Sequence, residues 1–370
     1  MKKIISLFIA GCLIFSFFIG ISVGAYKLFP YSILDDVKDE LMFQEIKTGN
    51  FENLSIDFQN LISIKNTSDI SKKKLDLINY IWKYENLSLE QPKKINEQII
   101  DENFLPMVNL DRIDTLEITM QHDVNSIVYI FHPDKSNNEL ILYHQGHSGG
   151  FINGKETIAY FIKHGYSVAA FSMPLFGMNN QPLADSDFGK LKLVSHNQFH
   201  LLENDEFSPM SYFFTPITKI LNYLDEFYDF KNYTMIGISG GGWVTTIYPA
   251  IDERISTSFS VAGSLPLSLR HDTKDIGDYE QYNESFYKIA NYFEIYLMSS
   301  FGENREFYQV FILNDPCCFS GTVSDQYESE IKEILNQLGP GKFDIMIDET
   351  TSKHEISDHT REFILEKILQ

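Results

Sequence analysis

The residues with the clearest chemical meaning are Gly237-Ile238-Ser239-Gly240-Gly241, which match the pattern G-x-S-x-G. The pattern closes an apolar run, 233–238, and leads directly into a helical stretch from Gly242. A strand, a serine and a helix in that order make a sharp turn. Glycine is required on both sides of the serine because the backbones approach too closely for side chains. The serine then projects from the end of a sheet, at the amino end of a helix whose dipole favours negative charge. Those are the conditions for attack on an acyl carbon. A serine hydroxyl is a weak nucleophile at neutral pH, so a base must take its proton and a carboxylate must orient that base.

The elements around Ser239 decide whether such partners can reach it. Downstream, apolar runs at 255–261, 309–313 and 343–347 alternate with helical stretches at 243–250, 328–338 and 360–369. Upstream, 116–120 and 127–131 read as a strand pair about the polar turn His122-Asp123. A strand at 139–143 follows, ending in a glycine-rich loop, then a helix at 157–163 closed by Gly165, and a buried strand at 166–171. Residues 216–227 form a helix with Ile217, Ile220, Leu221 and Leu224 on one face. Short apolar strands alternating with helices predict an α/β fold with a mostly parallel central sheet flanked by helices. Two segments interrupt the rhythm: 175–212, polar and loop-like, and 264–307, rich in aromatics (Tyr279, Tyr282, Phe286, Tyr287, Tyr292, Phe293, Tyr296). Both are expected as cap-like insertions over the carboxyl edge of the sheet, and the aromatics either shape a pocket or simply pack helices. Residues 27–115, with Leu75, Ile78, Ile81 and Trp82 at helical spacing, read as a helical stalk or lead-in to a domain at 116–370.

Through the serine turn and its strand–helix setting, the chain resembles the α/β-hydrolase superfamily over roughly residues 116–370, with the subgroup, esterase-like or peptidase-like, left open. The resemblance implies the chain order nucleophile, acid, histidine. The acid should follow a late strand, and Asp315, in Asn314-Asp315-Pro316, follows 309–313. Asp325 is the rival, although it could instead cap a helix. The histidine should lie between the last strand and the last helix. His354 sits in the middle of that loop, His359 adjoins the helix start, and His271 precedes the acid and breaks the order. Two backbone amides should bind the oxyanion. One is that of Gly240. The other comes from His144-Gln145-Gly146-His147-Ser148-Gly149-Gly150, which is similar to the family's His-Gly-x-Gly loop with Gln145 interposed; the amide of His147 is selected. The resemblance thus implies a Ser239–His354–Asp315 triad in a carboxylic ester hydrolase that needs no cofactor. A serine peptidase, an acyltransferase and a non-catalytic envelope interaction protein are the alternatives. His144 and His147 suggest a metal pair, but no third ligand is evident in the sequence, so no metal is expected.

The formal net charge of −21 repels nucleic acid, and no basic patch offsets it, so no nucleic-acid partner is expected. Lys2 and Lys3 precede a stretch, 4–26, without a charged residue. As a helix it would span roughly 34 Å, enough for a bilayer core of about 30 Å. It is longer than the apolar core of a cleavable signal and lacks a small-x-small site, which favours an uncleaved membrane anchor at 1–26 over a signal. The lysines would stay cytoplasmic, placing the catalytic domain outside, at a bacterial inner membrane, periplasm or cell surface. Ile9-Ala10-Gly11-Cys12 resembles a lipobox, but the apolar run before it is very short, and Gly20 with Gly24 makes only a lone GxxxG pair. Cys317 and Cys318 are adjacent, and neighbouring residues rarely form a relaxed disulfide, so no disulfide framework is expected. The expected partners are a small-molecule or glycan-linked ester and the membrane itself.

Overall fold

The computed structural model describes residues 56–370, together with Ser16 and Gly20, which are helical and exposed. The anchor expected at 1–26, with its lipobox-like sequence, and the first part of the lead-in lie outside the described residues. Among the described residues no helix is long and apolar enough to cross a membrane.

Among the described residues nine strands form one sheet in the order β1-β2-β3-β5-β4-β8-β9-β10-β11. They are β1 (Lys94–Ile99), β2 (Leu110–Thr119), β3 (Asn125–Pro133), β4 (Leu140–His144), β5 (Ser167–Phe171), β8 (Tyr233–Ile238), β9 (Ile255–Val261), β10 (Glu306–Ile312) and β11 (Lys342–Asp348). From β5 across to β11 every neighbouring pair is parallel, whereas β1, β2 and β3 pair antiparallel. The parallel strands read as near-continuous apolar runs because both faces are covered. Successive residues of β4 show this: Leu140 and Leu142 join one core cluster, Ile141 and Tyr143 the other. The first face is covered by α4 (Ser211–Phe227), α5 (Gly240–Ile251) and α8 (Tyr292–Ser300). The second is covered by α3 (Lys155–Lys163) and α10 (Asp358–Ile368) through Ile158, Phe161, Ile162 and Ile364.

Strand β4 lies between β5 and β8, so the chain leaves it in one direction and later returns on its other side. In open α/β sheets, such a reversal opens a crevice at the carboxyl ends of the strands, where ligands bind. Both the glycine-rich loop and the serine turn begin there.

The strands and helices from 116 onward fall where the apolar patterning places them. The departures have local causes. The lead-in is only partly helical. Its helix α2 (Thr67–Trp82), which follows a single turn α1 (Phe58–Leu61), is capped by Asn66, whose side chain accepts from the amides of Ser68 and Asp69. Leu77, Ile78 and Ile81 are buried in the main core, but residues 94–99 and 110–115 are strand. The sequence KINEQI of β1 is mostly polar because this edge strand has little apolar cover, so no buried run announces it. Helix α4 starts at Ser211 and continues through Pro216, a residue that signals a helix start in sequence. The segment 175–212 contains a hairpin of β6 (Leu183–Ser186) and β7 (Gly189–Lys192) and a 3-10 turn, His196–Leu201. The aromatics of 264–307 serve packing: Tyr279, Phe286, Tyr287, Tyr292, Phe293 and Tyr296 are buried, while Tyr282 is exposed. They lie on α6 (Tyr279–Tyr282), α7 (Glu284–Ile289) and α8. The indole N–H of Trp243 donates to the Tyr287 oxygen at 2.7 Å, which ties this insertion to the helix behind Ser239.

Candidate active site

Ser239 ends β8 and caps α5 with φ 57° and ψ −126°, a backbone conformation that a residue with a side chain rarely adopts. Two hydrogen bonds hold it there. Its N–H donates to Val261 O at 2.9 Å, and its carbonyl accepts from Trp243 N at 2.9 Å. The glycines around it are obligatory. A Cβ on Gly237 would sit 2.1 Å from Gly241 O, and one on Gly241 would sit 2.0 Å from His144 O.

Because β10 and β11 pair in parallel register, the loops that follow them lie side by side. Asp315, in the first loop, is buried. Its Oδ1 accepts from the amides of Cys317 at 2.8 Å and Cys318 at 3.3 Å, which leaves Oδ2 to accept from His354 Nδ1 at 2.8 Å. The other ring nitrogen, Nε2, is buried and has no hydrogen-bond partner, Ser239 included. An N–H on Nδ1 directed at the carboxylate leaves Nε2 as the basic nitrogen. Apo geometry of this kind is common where a catalytic hydrogen bond tightens only around substrate.

The loop carrying His354 is anchored by Asp348 at the end of β11. The Asp348 side chain is fully buried and accepts from Thr350 N at 2.8 Å, Thr350 Oγ1 at 2.6 Å, Thr360 Oγ1 at 2.7 Å and Ser357 Oγ. Burial alone would raise its pKa, but the hydrogen bonds from Ser357, Thr350 and Thr360 outweigh burial and lower it. The rival residues lie elsewhere: Asp325, His359 and His271 are exposed at the surface. Contrary to the expectation from their adjacency, Cys317 and Cys318 are joined as a disulfide. It links neighbours and so encloses no length of chain; its structural effect is confined to the turn whose amides hold Asp315.

The loop after β4 packs directly on the serine turn. A Cβ on Gly146 would lie 2.5 Å from Ser239 Cβ and 3.0 Å from Gly240 N. Gln145, the interposed residue, turns its side chain away toward the Tyr143 hydroxyl and Ser148 Oγ. Gly240 opens α5, so its N–H is among the four that have no acceptor within the helix. The ring of His147 covers it, with Cε1 2.4 Å from where a Gly240 Cβ would stand. His144 is buried against Phe171 with its Nδ1–H on Gln145 O at 2.9 Å, and burial pushes its pKa down to about 4, so it stays neutral.

His144 and His147 do not form the pair that their spacing suggests. Instead, His147 Nε2 lies 3.0 Å from Glu280 Oε1 and 3.1 Å from His196 Nδ1. Burial opposes a charge on His147, but the hydrogen bond and charge of Glu280 and the charge of Asp278 raise its pKa. Burial likewise opposes ionisation of Glu280, yet His196 and His147 hold its carboxyl well below the usual range. Nothing in the sequence marks His196, Asp278 and Glu280 as a group. His196 lies in the first insertion and Asp278 and Glu280 in the second, and they meet only in the folded protein.

A cleft of about 430 Å³ adjoins the triad candidates; Gln145, Ser148, Ile238, His354 and Arg361 help to line it. A larger groove of about 830 Å³ is lined by residues such as Lys72, Lys83 and Lys288 and includes none of these candidates.

The sheet order, the serine turn at the carboxyl end of β8 and the acid and histidine after β10 and β11 define the α/β-hydrolase fold. Solved structures of esterases share it. Acetyl xylan esterase 1 from Thermoanaerobacterium sp. JW/SL YS485 aligns with a TM-score of 0.55 and 14% identity over 85% of this chain and 98% of its own. An acetyl xylan esterase from Paenibacillus sp. R4 aligns with a TM-score of 0.55 and 14% identity over 84% of this chain and 98% of its own. Methylesterase BT1017 reaches a TM-score of 0.56 at 14% identity, over 84% of this chain and 65% of its own. No protein-family model and no curated protein sequence matches the chain.

Proposed function

We propose that this chain is a serine-dependent carboxylic ester hydrolase, held at the outer side of a bacterial membrane by residues 1–26. The observation that carries the proposal is the 2.8 Å hydrogen bond from His354 Nδ1 to Asp315 Oδ2, made by loops from the two strands that follow the Ser239 strand in the parallel sheet beyond β9. In this mechanism Ser239 Oγ attacks the acyl carbon as its proton passes to His354 Nε2. Asp315 fixes the imidazole tautomer and stabilises the imidazolium. The amides of Gly240 and His147 bind the oxyanion. Collapse expels the alcohol, protonated by His354, and leaves an acyl-enzyme that water, deprotonated by the same histidine, then cleaves.

Crowding at the serine turn favours a short acyl group. A Cβ on Gly240 would lie 2.8 Å from Met173 Cε as well as against the His147 ring, so two side chains close over the nucleophile's neighbour. The acetyl xylan esterases with the same fold make an acetylated glycan a reasonable first substrate class. Membrane attachment follows from the uncharged run 4–26 after Lys2 and Lys3.

The test is labelling of the full-length protein, in detergent, with a fluorophosphonate probe, the modified residue being located by mass spectrometry. Modification at Ser239 that is abolished in Ser239→Ala and strongly reduced in His354→Ala is expected, together with turnover of acetyl esters but not of peptides. A folded protein that neither reacts with the probe nor cleaves short acyl esters removes the hydrolase assignment and leaves a binding role for the fold.

A further inference from the structure

We propose that His147, His196, Glu280 and Asp278 bind one divalent transition-metal ion, with zinc the best match, which clamps both insertions to the loop after β4. His196 and Glu280 are fully buried, and their donor atoms, with those of His147 and Asp278, all lie within 4.8 Å of one another. The protonation of His196 is fixed from behind. Its Nε2 lies 2.8 Å from Pro174 O, and a carbonyl only accepts, so Nε2 carries the proton. In the neutral ring Nδ1 is then a bare lone pair. It nevertheless faces both oxygens of Glu280 at 3.2 Å and His147 Nε2 at 3.1 Å. Protons satisfy this arrangement poorly. If both rings are protonated there, two N–H groups crowd one another; if only one is, the other turns a lone pair toward a buried carboxylate.

A metal ion resolves the conflict. Zinc binds imidazole nitrogen at about 2.0–2.1 Å and carboxylate oxygen at about 2.0–2.2 Å, so neighbouring ligand atoms in a tetrahedron stand roughly 3.3–3.5 Å apart. The separations here bracket that value. They are 3.0 Å for His147–Glu280, 3.2 Å for His196–Glu280 and 3.6 Å for His147–Asp278, with His196–Asp278 at 4.0 Å. Two nitrogens and two carboxylate oxygens form a donor set suited to zinc. On the far side of the ring the Pro174 carbonyl accepts from His196 Nε2–H, the outer contact that orients a metal-bound imidazole.

The position of the ion gives it a task. The His147 ring packs on Gly240, and the His147 amide is the second oxyanion donor of the proposed mechanism. An ion on His147 Nε2 would fix the loop that carries this amide. This task rests on the esterase assignment, whereas the binding of the ion does not.

The test uses full-length protein in detergent, purified without chelator. Elemental analysis should find about one zinc per chain, and Ser239→Ala should keep it. After stripping with a chelator, added Zn2+ should restore a thermal midpoint that had fallen by roughly 5–10 °C, the shift expected for an ion present at about a hundred times its Kd. Co2+ added in its place should give the intense visible absorption of a tetrahedral site, lost in His196→Gln and Glu280→Gln. Asp278→Asn, at a partly exposed position, should weaken Zn2+ by at least about tenfold if the buried variants fail to fold. Stripped, folded wild-type protein that takes up neither ion and melts unchanged would overturn the site. Binding without any effect on ester turnover overturns the positioning role alone. Binding by a protein that cleaves no ester sustains the metal site while removing the hydrolase assignment.

Discussion

The strained backbone at Ser239 allows the role proposed for its hydroxyl to be separated from the energetic cost of its conformation. With φ 57° and ψ −126°, Ser239 occupies a region that disfavours any residue bearing a Cβ. Holding a residue in such a region costs of order 1–3 kcal/mol. Ser239→Ala removes the hydroxyl and keeps the Cβ, so the strain stays. Ser239→Gly removes both. Against the relief stands the greater freedom of glycine in the unfolded chain, about 0.5–1 kcal/mol relative to alanine. The difference leaves Ser239→Gly more stable than Ser239→Ala by roughly 0–2.5 kcal/mol, with about 1 kcal/mol as the central value. Both variants should lose ester turnover by about 10⁴-fold or more, since each lacks the nucleophile. Urea titration of the two variants at one pH, fitted with a common slope, measures the difference directly. A glycine variant less stable than the alanine one by the full cost of its backbone entropy, about 0.5–1 kcal/mol, would show that the turn stores no strain and that its geometry is set by the surrounding loops alone.

Three further outcomes are expected. Asp315→Asn keeps the shape of the acid but presents an amide to His354 Nδ1, so kcat should fall by about 10⁴-fold with little change in KM, read by steady-state kinetics. Gly146→Ala places a methyl 2.5 Å from Ser239 Cβ and 2.6 Å from Ile238 O, so it should destabilise the fold by about 1–3 kcal/mol and depress kcat. Asp348 should shape acid sensitivity: its folded pKa is lowered, so an unfolded chain takes up the proton near about 3.9 while the folded one does not. Its contribution to stability is therefore present above that pH and lost as pH falls through the lower folded value. Asp348→Asn should flatten the stability curve in that range, and its donated N–H groups should collide with Thr350, Ser357 and Thr360 and loosen the His354 loop.

How much of this was legible in the sequence follows from which interactions are local. The turn at Ser239 is specified by consecutive residues: an apolar strand, glycines where backbones touch, and a helix. Asp315 and His354 were legible as candidates only through the resemblance and its chain order; the structure brings the two together because parallel strands set the loops after them side by side. Edge strand β1 escaped notice because a polar strand carries no burial signal. The aromatic insertion was ambiguous because an aromatic side chain fills a core or lines a pocket with the same spacing. The group formed by His147, His196, Asp278 and Glu280 has no sequence signature, since its members come from three separate excursions of the chain, with only Asp278 and Glu280 close in sequence. Adjacency in sequence argues against a bond between Cys317 and Cys318, and the disulfide that joins them is a property of the turn beside Asp315 rather than of the chain's connectivity.

The two insertions are not independent decorations on the sheet. Glu280 meets His196, Tyr279 N donates to Asn197 Oδ1 at 2.9 Å, and the Asn283 amide donates to Glu203 at 3.2 Å, all between the first insertion and the second. Exchange of either segment alone with that of another protein would strand buried polar groups of the other. For recombination, natural or engineered, the pair is therefore one inheritable module, and substitutions that alter selectivity in one segment should be accompanied by matched changes in its distant counterpart.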